Sequence, residues 1–208
     1  MVITQLVELS KSRSKVYIEE EFAFVLYKGE LRRYGMKEGE ELGEEDYQEI
    51  MEKILPKRAK LRCMNLLSKK TYTEAQLYQK LQNDYQENFI QEAIDYVKSY
   101  GYVNDEQYAI DYISYHQETK SRKQIEMDLR KRGIPEEIVK NTLEGFRENS
   151  EQQENLLIQK FLEKKRYSPI KATYEDKDKM IRFLLRKGFE YALIKNVMKE
   201  YIYHENDE

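Results

Sequence analysis

The sequence has no tryptophan, one cysteine, three prolines and only eight glycines in 208 residues. A lone thiol, Cys63, excludes an internal disulfide framework and any cysteine-based zinc site. Neither histidine, His116 or His204, has a second histidine or cysteine at ligand spacing, so no metal and no cofactor is implied. No segment approaches the roughly 18 apolar residues of a membrane span. The N-terminus lacks the basic stretch, apolar run and small-residue cleavage site of a secretory signal. A cytoplasmic protein with no membrane partner is expected. Also absent are a Gly-rich loop leading into Gly-Lys-Ser/Thr and a Gly-x-Ser-x-Gly elbow. The carboxylates alternate with Lys and Arg as on solvated helices. A catalytic role has no positive support, and a non-enzyme is expected.

Charged residues make up 36% of the chain and hydrophobic ones 40%, with 18 tyrosines. Little Gly or Pro with much Glu, Lys, Leu, Ile and Gln is a helix-forming composition. The modest apolar fraction implies a thin core spread along the molecule. Net charge is −3 but uneven: −5 over residues 1–56, +3 over 57–103, −2 over 104–148 and +1 over 149–208. Attraction for nucleic acid is therefore local at most.

Short β-type runs at 2–9 and 15–18 flank the polar segment Ser10–Ser14, which reads as a turn. Phe22–Tyr27 fits a strand or a buried helical turn. Gly29, Gly35, Gly39 and Gly43 then mark loop with at most short elements. Glu44–Leu55 has helical periodicity, with Tyr47, Ile50, Met51, Ile54 and Leu55 on one face. The pattern divides near Pro56, giving a small strand-containing N-terminal extension with a connecting helix over 1–56.

Beyond Pro56 the chain repeats itself. Thr73-Glu74-Ala75-Gln76-Leu77 and Ser121-Arg122-Lys123-Gln124-Ile125 both carry the capping-box signature of a helix start. Leucine follows four residues later, at Leu81 and Leu129. A third copy reads Asp176-Lys177-Asp178-Lys179-Met180 with Leu184, and Asp176 is its expected cap. Two of these helices end at Gly133-Ile134 and Gly188-Phe189, where glycine suits a left-handed terminus. Asn83-Asp84-Tyr85 is the weakest match. A following helix carries Phe89, Ala93, Ile94 and Val97, then Ile138, Thr142, Leu143 and Phe146, then Leu193, Val197, Met198 and Tyr201. A preceding helix carries Leu61, Met64 and Leu67 with Cys63, then Tyr108, Tyr112 and Tyr115, then Leu157, Phe161 and Leu162. The expected fold is mainly α: an elongated, curved array of three tandem three-helix repeats at 57–103, 104–148 and 149–208. Units this small bury their apolar faces by stacking, and a monomer is expected of an array that closes its own core.

Basic clusters are the informative surface feature. Lys57, Arg58, Lys60 and Arg62 open the first repeat. The others are Lys69-Lys70, Lys120 with Arg122-Lys123, Arg130-Lys131-Arg132, Lys164-Lys165-Arg166, and Arg182 with Arg186-Lys187. Any one cluster reads more readily as the solvated face of an amphipathic helix. Their recurrence at equivalent turns and helix ends argues for a common edge suited to phosphates or an acidic groove. Tyr72, Tyr115 and Tyr167 are interleaved where bases could stack. Ser121–Gly133 followed by Ile134-Pro135 has a helix-turn-helix look, but Glu136 and Glu137 at the next helix start argue against base reading.

At Gly101-Tyr102-Val103-Asn104-Asp105-Glu106-Gln107-Tyr108-Ala109 the chain resembles the RecX family, bacterial regulators of the recombinase RecA. Ser121–Ile125 with Leu129 and Lys131–Ile134 resembles that family's next segment. Lys60–Leu67 with Tyr72–Leu77 resembles the opening of its first repeat. The resemblance runs from about Pro56 to the C-terminus and is strongest in the first two repeats. It implies binding to the RecA–DNA filament, in its helical groove, and inhibition of extension, ATP hydrolysis and strand exchange. The acidic balance, a departure from the family's more basic members, argues for weak direct DNA binding at most. The competing expectations are a general nucleic-acid-binding repeat protein and a scaffold for other proteins.

Overall fold

A computed structural model describes residues 1–147 and 150–205, with side chains through Tyr201. The expected boundary between the second and third repeats, at 148 and 149, and the side chain of His204 lie outside the described residues. Two compact units are present, 1–104 and 105–208.

The first unit begins with an antiparallel meander of β1 (Ile3–Ser10), β2 (Arg13–Ile18) and β3 (Glu21–Tyr27). In β3 four successive residues, Ala23 to Leu26, are buried. Both faces of that strand are covered, which is why its sequence lacks alternation and reads ambiguously. Glu19 and Glu20 form the two-residue β2–β3 turn at φ 51° and 71°. A tight hairpin demands such angles, but β-carbons resist them.

Short helices α1 (Lys28–Arg33) and α2 (Glu44–Glu49) follow, then a π-helical turn at Ile50–Ile54 and α3 (Leu55–Leu67). The expected division at Pro56 is not a break: helical backbone runs from Glu44 to Leu67. Pro56 sits in the first turn of α3, directly after the π turn. Proline lacks an N–H and clashes with the carbonyl four residues back, and the wider π turn makes room for it. The first repeat continues with α4 (Glu74–Leu81) and α5 (Glu87–Ser99).

The sheet and this repeat share one core, in which Ile3, Val16, Phe24 and Leu26 join Leu55, Leu77, Ile90 and Val97. Polar ties reinforce it. Arg13 pairs with Asp84, and Gln86 Nε2 donates to the Ala23 carbonyl at 2.8 Å. Arg58 pairs with Glu30 at 3.1 Å and lies 5.1 Å from the centre of the Tyr27 ring.

The buried stripe of α3 is Leu55, Ala59, Cys63 and Leu66, whereas Leu61 and Met64, expected inside, are 52% and 39% exposed. Small residues on the neighbouring stripe allow close packing there, a choice that hydrophobicity alone does not reveal. Cys63 is fully buried, and burial pushes its thiol up to about 11. It is a packing residue.

The second unit holds α6 (Asp105–His116), α7 (Arg122–Lys131) and α8 (Glu136–Gly145), then α9 (Ser150–Lys164), α10 (Tyr174–Arg186) and α11 (Tyr191–Glu205). Each triplet has its own small core, around Ala109, Ile113, Leu129 and Val139 in one and Leu157, Leu162, Leu184 and Val197 in the other. Tyr115, expected inside, is 79% exposed, while Ala109 and Ile113 are buried in its place. Thr73 closes its capping box with Gln76 as expected. Ser121 makes half of one, accepting from the Gln124 N–H. In the third copy the cap is Thr173, and Asp176 closes the box from the third helical position. Gly133 and Gly188 have φ of 79° and 90°, the left-handed termini that their sequence position implies. The weak match at Asn83–Tyr85 uses no left-handed residue, since Asp84 is instead engaged by the sheet through Arg13.

Candidate functional site

Ion pairing divides the basic residues into two groups. Lys120 Nζ reaches Asp128 Oδ2 and the Tyr112 hydroxyl, each at 2.7 Å, and Tyr112 donates to the same carboxylate at 2.9 Å. Arg132 stacks 4.4 Å from the Tyr112 ring centre, and its guanidinium donates to the Asp128 carbonyl and the Tyr108 hydroxyl. Lys120, with help from Tyr112, holds the Asp128 carboxyl below its ordinary value against the cost of burial. Burial depresses the Lys120 ammonium, but Asp128 and Tyr112 outweigh it and the net shift is upward. His116, beside this web, is lowered by burial and by the two cations. Lys120 and Arg132 are thus engaged within the second repeat, and Lys120 also lines the cleft between the second and third repeats.

Arg130 pairs with Glu126 and Glu136 at 2.7 and 3.3 Å, Arg182 with Asp178 at 2.7 Å, and Arg122 with Glu144 at 3.7 Å. Glu136 also takes Lys140 at 2.6 Å, so the start of α8 is acidic and compensated, unsuited to phosphate or base contact. In the first repeat Arg58 and Lys60 are spent on Glu30 and Glu92.

The other clustered cations have no carboxylate partner among the described residues: Lys57, Arg62, Lys69, Lys70, Lys123, Lys131, Lys164, Lys165, Arg166, Arg186 and Lys187. Lys69 and Lys70 are exposed in the first unit, with Lys70 Nζ 4.6 Å from the Tyr72 ring centre. Lys164 is exposed at the end of α9.

Lys123, Lys131, Arg186 and Lys187 converge on one cleft of about 440 Å³ between the second and third repeats, which Met127 and Leu185 also line. Asp128 lines it as well, but its charge is answered by Lys120. The lining of the cleft is therefore net positive. Lys165, Arg166 and Arg186 line an adjacent cavity of about 570 Å³ in the third repeat. Lys171 and Lys179 line it too, and the sequence reading passed over both. Lys179 and Arg186 are seven apart on α10, the spacing of one helix face, and that was the available signal.

Beside the cleft Ser121 Oγ donates to the Lys187 carbonyl, and elsewhere α9 meets α7 where Glu154 Oε1 accepts from the Arg122 N–H at 2.9 Å. Of the three tyrosines considered for stacking, Tyr115 is open, Tyr72 is half-buried, and Tyr167 is only 8% exposed. Among the described residues no helix is long and apolar enough to cross a membrane, and no acid, histidine or cysteine cluster could hold a metal.

Comparison with known proteins gives matches to proteins named regulatory protein RecX. The first, second and third three-helix domains described for RecX match residues 59–96, 104–143 and 152–198. The regulatory protein RecX of Caldanaerobacter subterraneus subsp. tengcongensis is 34% identical over 202 residues, covering 96% of this chain and 98% of that one. The regulatory protein RecX of Clostridioides difficile is 28% identical, covering 96% and 95%. A crystal structure of a regulatory protein RecX superposes with a TM-score of 0.61 at 24% identity over 94% of this chain and 98% of that one. That of RecX from Lactobacillus salivarius gives 0.60 at 24% identity over 71% and 97%. Repeat order, capping pattern and near full-length identity lead to one conclusion: the chain belongs to the RecX family of regulatory proteins.

Proposed function

We propose that this protein regulates RecA without catalysis of its own, binding the RecA–DNA filament as a monomer in the cytoplasm. It inhibits filament extension, ATP hydrolysis and strand exchange, and so modulates recombinational DNA repair. The observation that supports this most is the cleft lined by Lys123, Lys131, Arg186 and Lys187, whose charges have no carboxylate partner among the described residues. Such cations suit the phosphates and acidic side chains that a nucleoprotein filament repeats along its length. Contacts from successive repeats sum by effective concentration, so none need be strong alone. An overall charge of −3 disfavours tight binding to free DNA and leaves the protein component of the filament to complete the contact.

The test is RecA ATP hydrolysis on single-stranded DNA at physiological salt, titrated with the full chain at substoichiometric ratios. Loss of hydrolysis well below one protein per RecA is expected. The combined variant Lys123→Ala, Lys131→Ala, Lys187→Ala should need at least about tenfold more protein, as loss of several charge-assisted contacts implies. Arg130→Ala, already paired to two glutamates, should inhibit like the parent. Unchanged hydrolysis at every ratio would remove this reading in favour of a scaffold, and strong salt-dependent binding to DNA without RecA would favour a general nucleic-acid binder.

A further inference from the structure

The cavity in the third repeat differs from the cleft in shape and chemistry. It lies where the end of α9, the 165–172 connection and α10 meet, and its volume of about 570 Å³ is that of a small-molecule site. Lys165, Arg166, Lys171, Lys179 and Arg186 line it. Lys179 approaches Glu175 only at 3.9 Å, and the other four have no carboxylate partner among the described residues. The acid at the rim, Asp176, is occupied by Thr173, accepting from its hydroxyl at 2.7 Å and its N–H at 3.2 Å. The lining is apolar at Met180 and Phe183, the latter with Lys165 Nζ 5.0 Å from its ring centre.

Two further observations point to a ligand. Tyr167 lines the cavity, is 8% exposed, and its buried hydroxyl has no hydrogen-bond partner among the described residues. Buried hydroxyls in folded proteins are paired as a rule, so an orphan beside a cavity is a donor in want of an acceptor. Arg166 stands at φ 51°, a conformation glycine or asparagine would adopt more readily, and a guanidinium occupies it at the cavity rim.

We propose that this cavity binds a nucleoside phosphate: the cations hold the phosphate, Met180 and Phe183 receive the base, and Tyr167 donates to the ligand. Arginine and lysine together suit a dispersed phosphate charge, and an apolar aromatic lining suits a base. A free nucleoside triphosphate and a nucleotide unit of single-stranded DNA share this chemistry. The cavity lies within one repeat and shares only Arg186 with the cleft.

The experiment is fluorescence anisotropy of a labelled ATP analogue with the full chain, in physiological salt and without RecA. Saturable binding is expected, weakened at least about tenfold in Lys165→Ala, Arg166→Ala and several-fold in Tyr167→Phe, with Arg130→Ala unaffected. Circular dichroism checks that each variant is folded. Competition separates the sources: displacement by unlabelled ATP identifies a free nucleotide, and displacement by a short oligothymidylate alone identifies a DNA strand. No binding at millimolar analogue, binding indifferent to the double substitution, or equal competition by tripolyphosphate would overturn the assignment. Because RecA is absent, failure here leaves the filament reading standing, and failure of RecA inhibition leaves this site standing.

Discussion

Ser121 Oγ donates a 2.6 Å hydrogen bond to the carbonyl oxygen of Lys187, and a Cβ placed on the adjoining Gly188 would stand 2.6 Å from that same Oγ. One hydroxyl therefore caps α7, through the Gln124 N–H, and fastens the end of α10 to it. The two repeats have separate cores, so this polar joint shapes the basic cleft between them.

Gly188→Ala should be costly on two counts, a φ of 90° and the collision with Ser121. A loss of roughly 1–3 kcal/mol is expected, lowering the thermal midpoint by about 2–4 °C per kcal/mol. Ser121→Ala should lose about 1–2 kcal/mol through the cap and joint. The double variant should lose less than the sum, because removing the hydroxyl relieves the collision. Additive losses in thermal unfolding would disprove the joint.

Asp128→Asn should destabilise the chain at neutral pH by roughly 1–3 kcal/mol, the worth of a charged hydrogen-bonded partner. The native carboxyl is held below its ordinary value by Lys120 and Tyr112. Its contribution is thus complete above the unfolded carboxylate value, about 3.9, and is lost as pH falls through the lower native one. Urea unfolding of parent and variant should converge below that range; a gap constant with pH would show that the charge is irrelevant.

Glu154 carries the opposite sign. Burial raises its carboxyl, and the charge of Glu190 adds to this, although the Arg122 N–H opposes them. The associated stability is complete below the ordinary glutamate value and is lost as pH rises through the raised one. Glu154→Gln keeps an acceptor for Arg122 without the buried charge. It should be more stable than the parent at pH 7 and indistinguishable at pH 4. Greater stability of the parent at pH 7 would mean that the ionised form is the one the fold prefers.

The β2–β3 turn is a place where sequence and backbone disagree. Replacing Glu19-Glu20 by Asn-Gly should relieve the left-handed strain and add about 1–2 kcal/mol. Thermal unfolding reads this directly, and no gain would indicate that the turn accommodates two β-carbons without strain.

The repeats were legible because their signals are local. Thr73 with Gln76, and Gly133 and Gly188 after their helices, act within four residues of chain, where residue type dictates backbone geometry. Asp176 was misread as a cap only because a competent hydroxyl, Thr173, stands three residues earlier in an enlarged connection. The outward turn of Leu61 and Met64 was not legible, since two neighbouring stripes of α3 are both apolar enough to pack.

Of the site, the sequence identified the basic residues and not their availability. Lys120, Arg130 and Arg132 look like Lys123, Lys131 and Lys187 in composition and spacing, yet the first three are consumed by Asp128, Glu126, Glu136 and the Tyr112 ring. The helical repeat, two of its three caps, its two glycine turns and the family can be read from residue order alone, because these follow from periodicity and residue type over a few turns. Tertiary structure decided which charges remain free, that the sheet belongs with the first repeat, and where the cleft opens. Those outcomes depend on groups brought together from far apart, Ser121 with Lys187 across 66 residues and Arg13 with Asp84 across 71. Whether a cation is spent or free is set by distances that only folding creates.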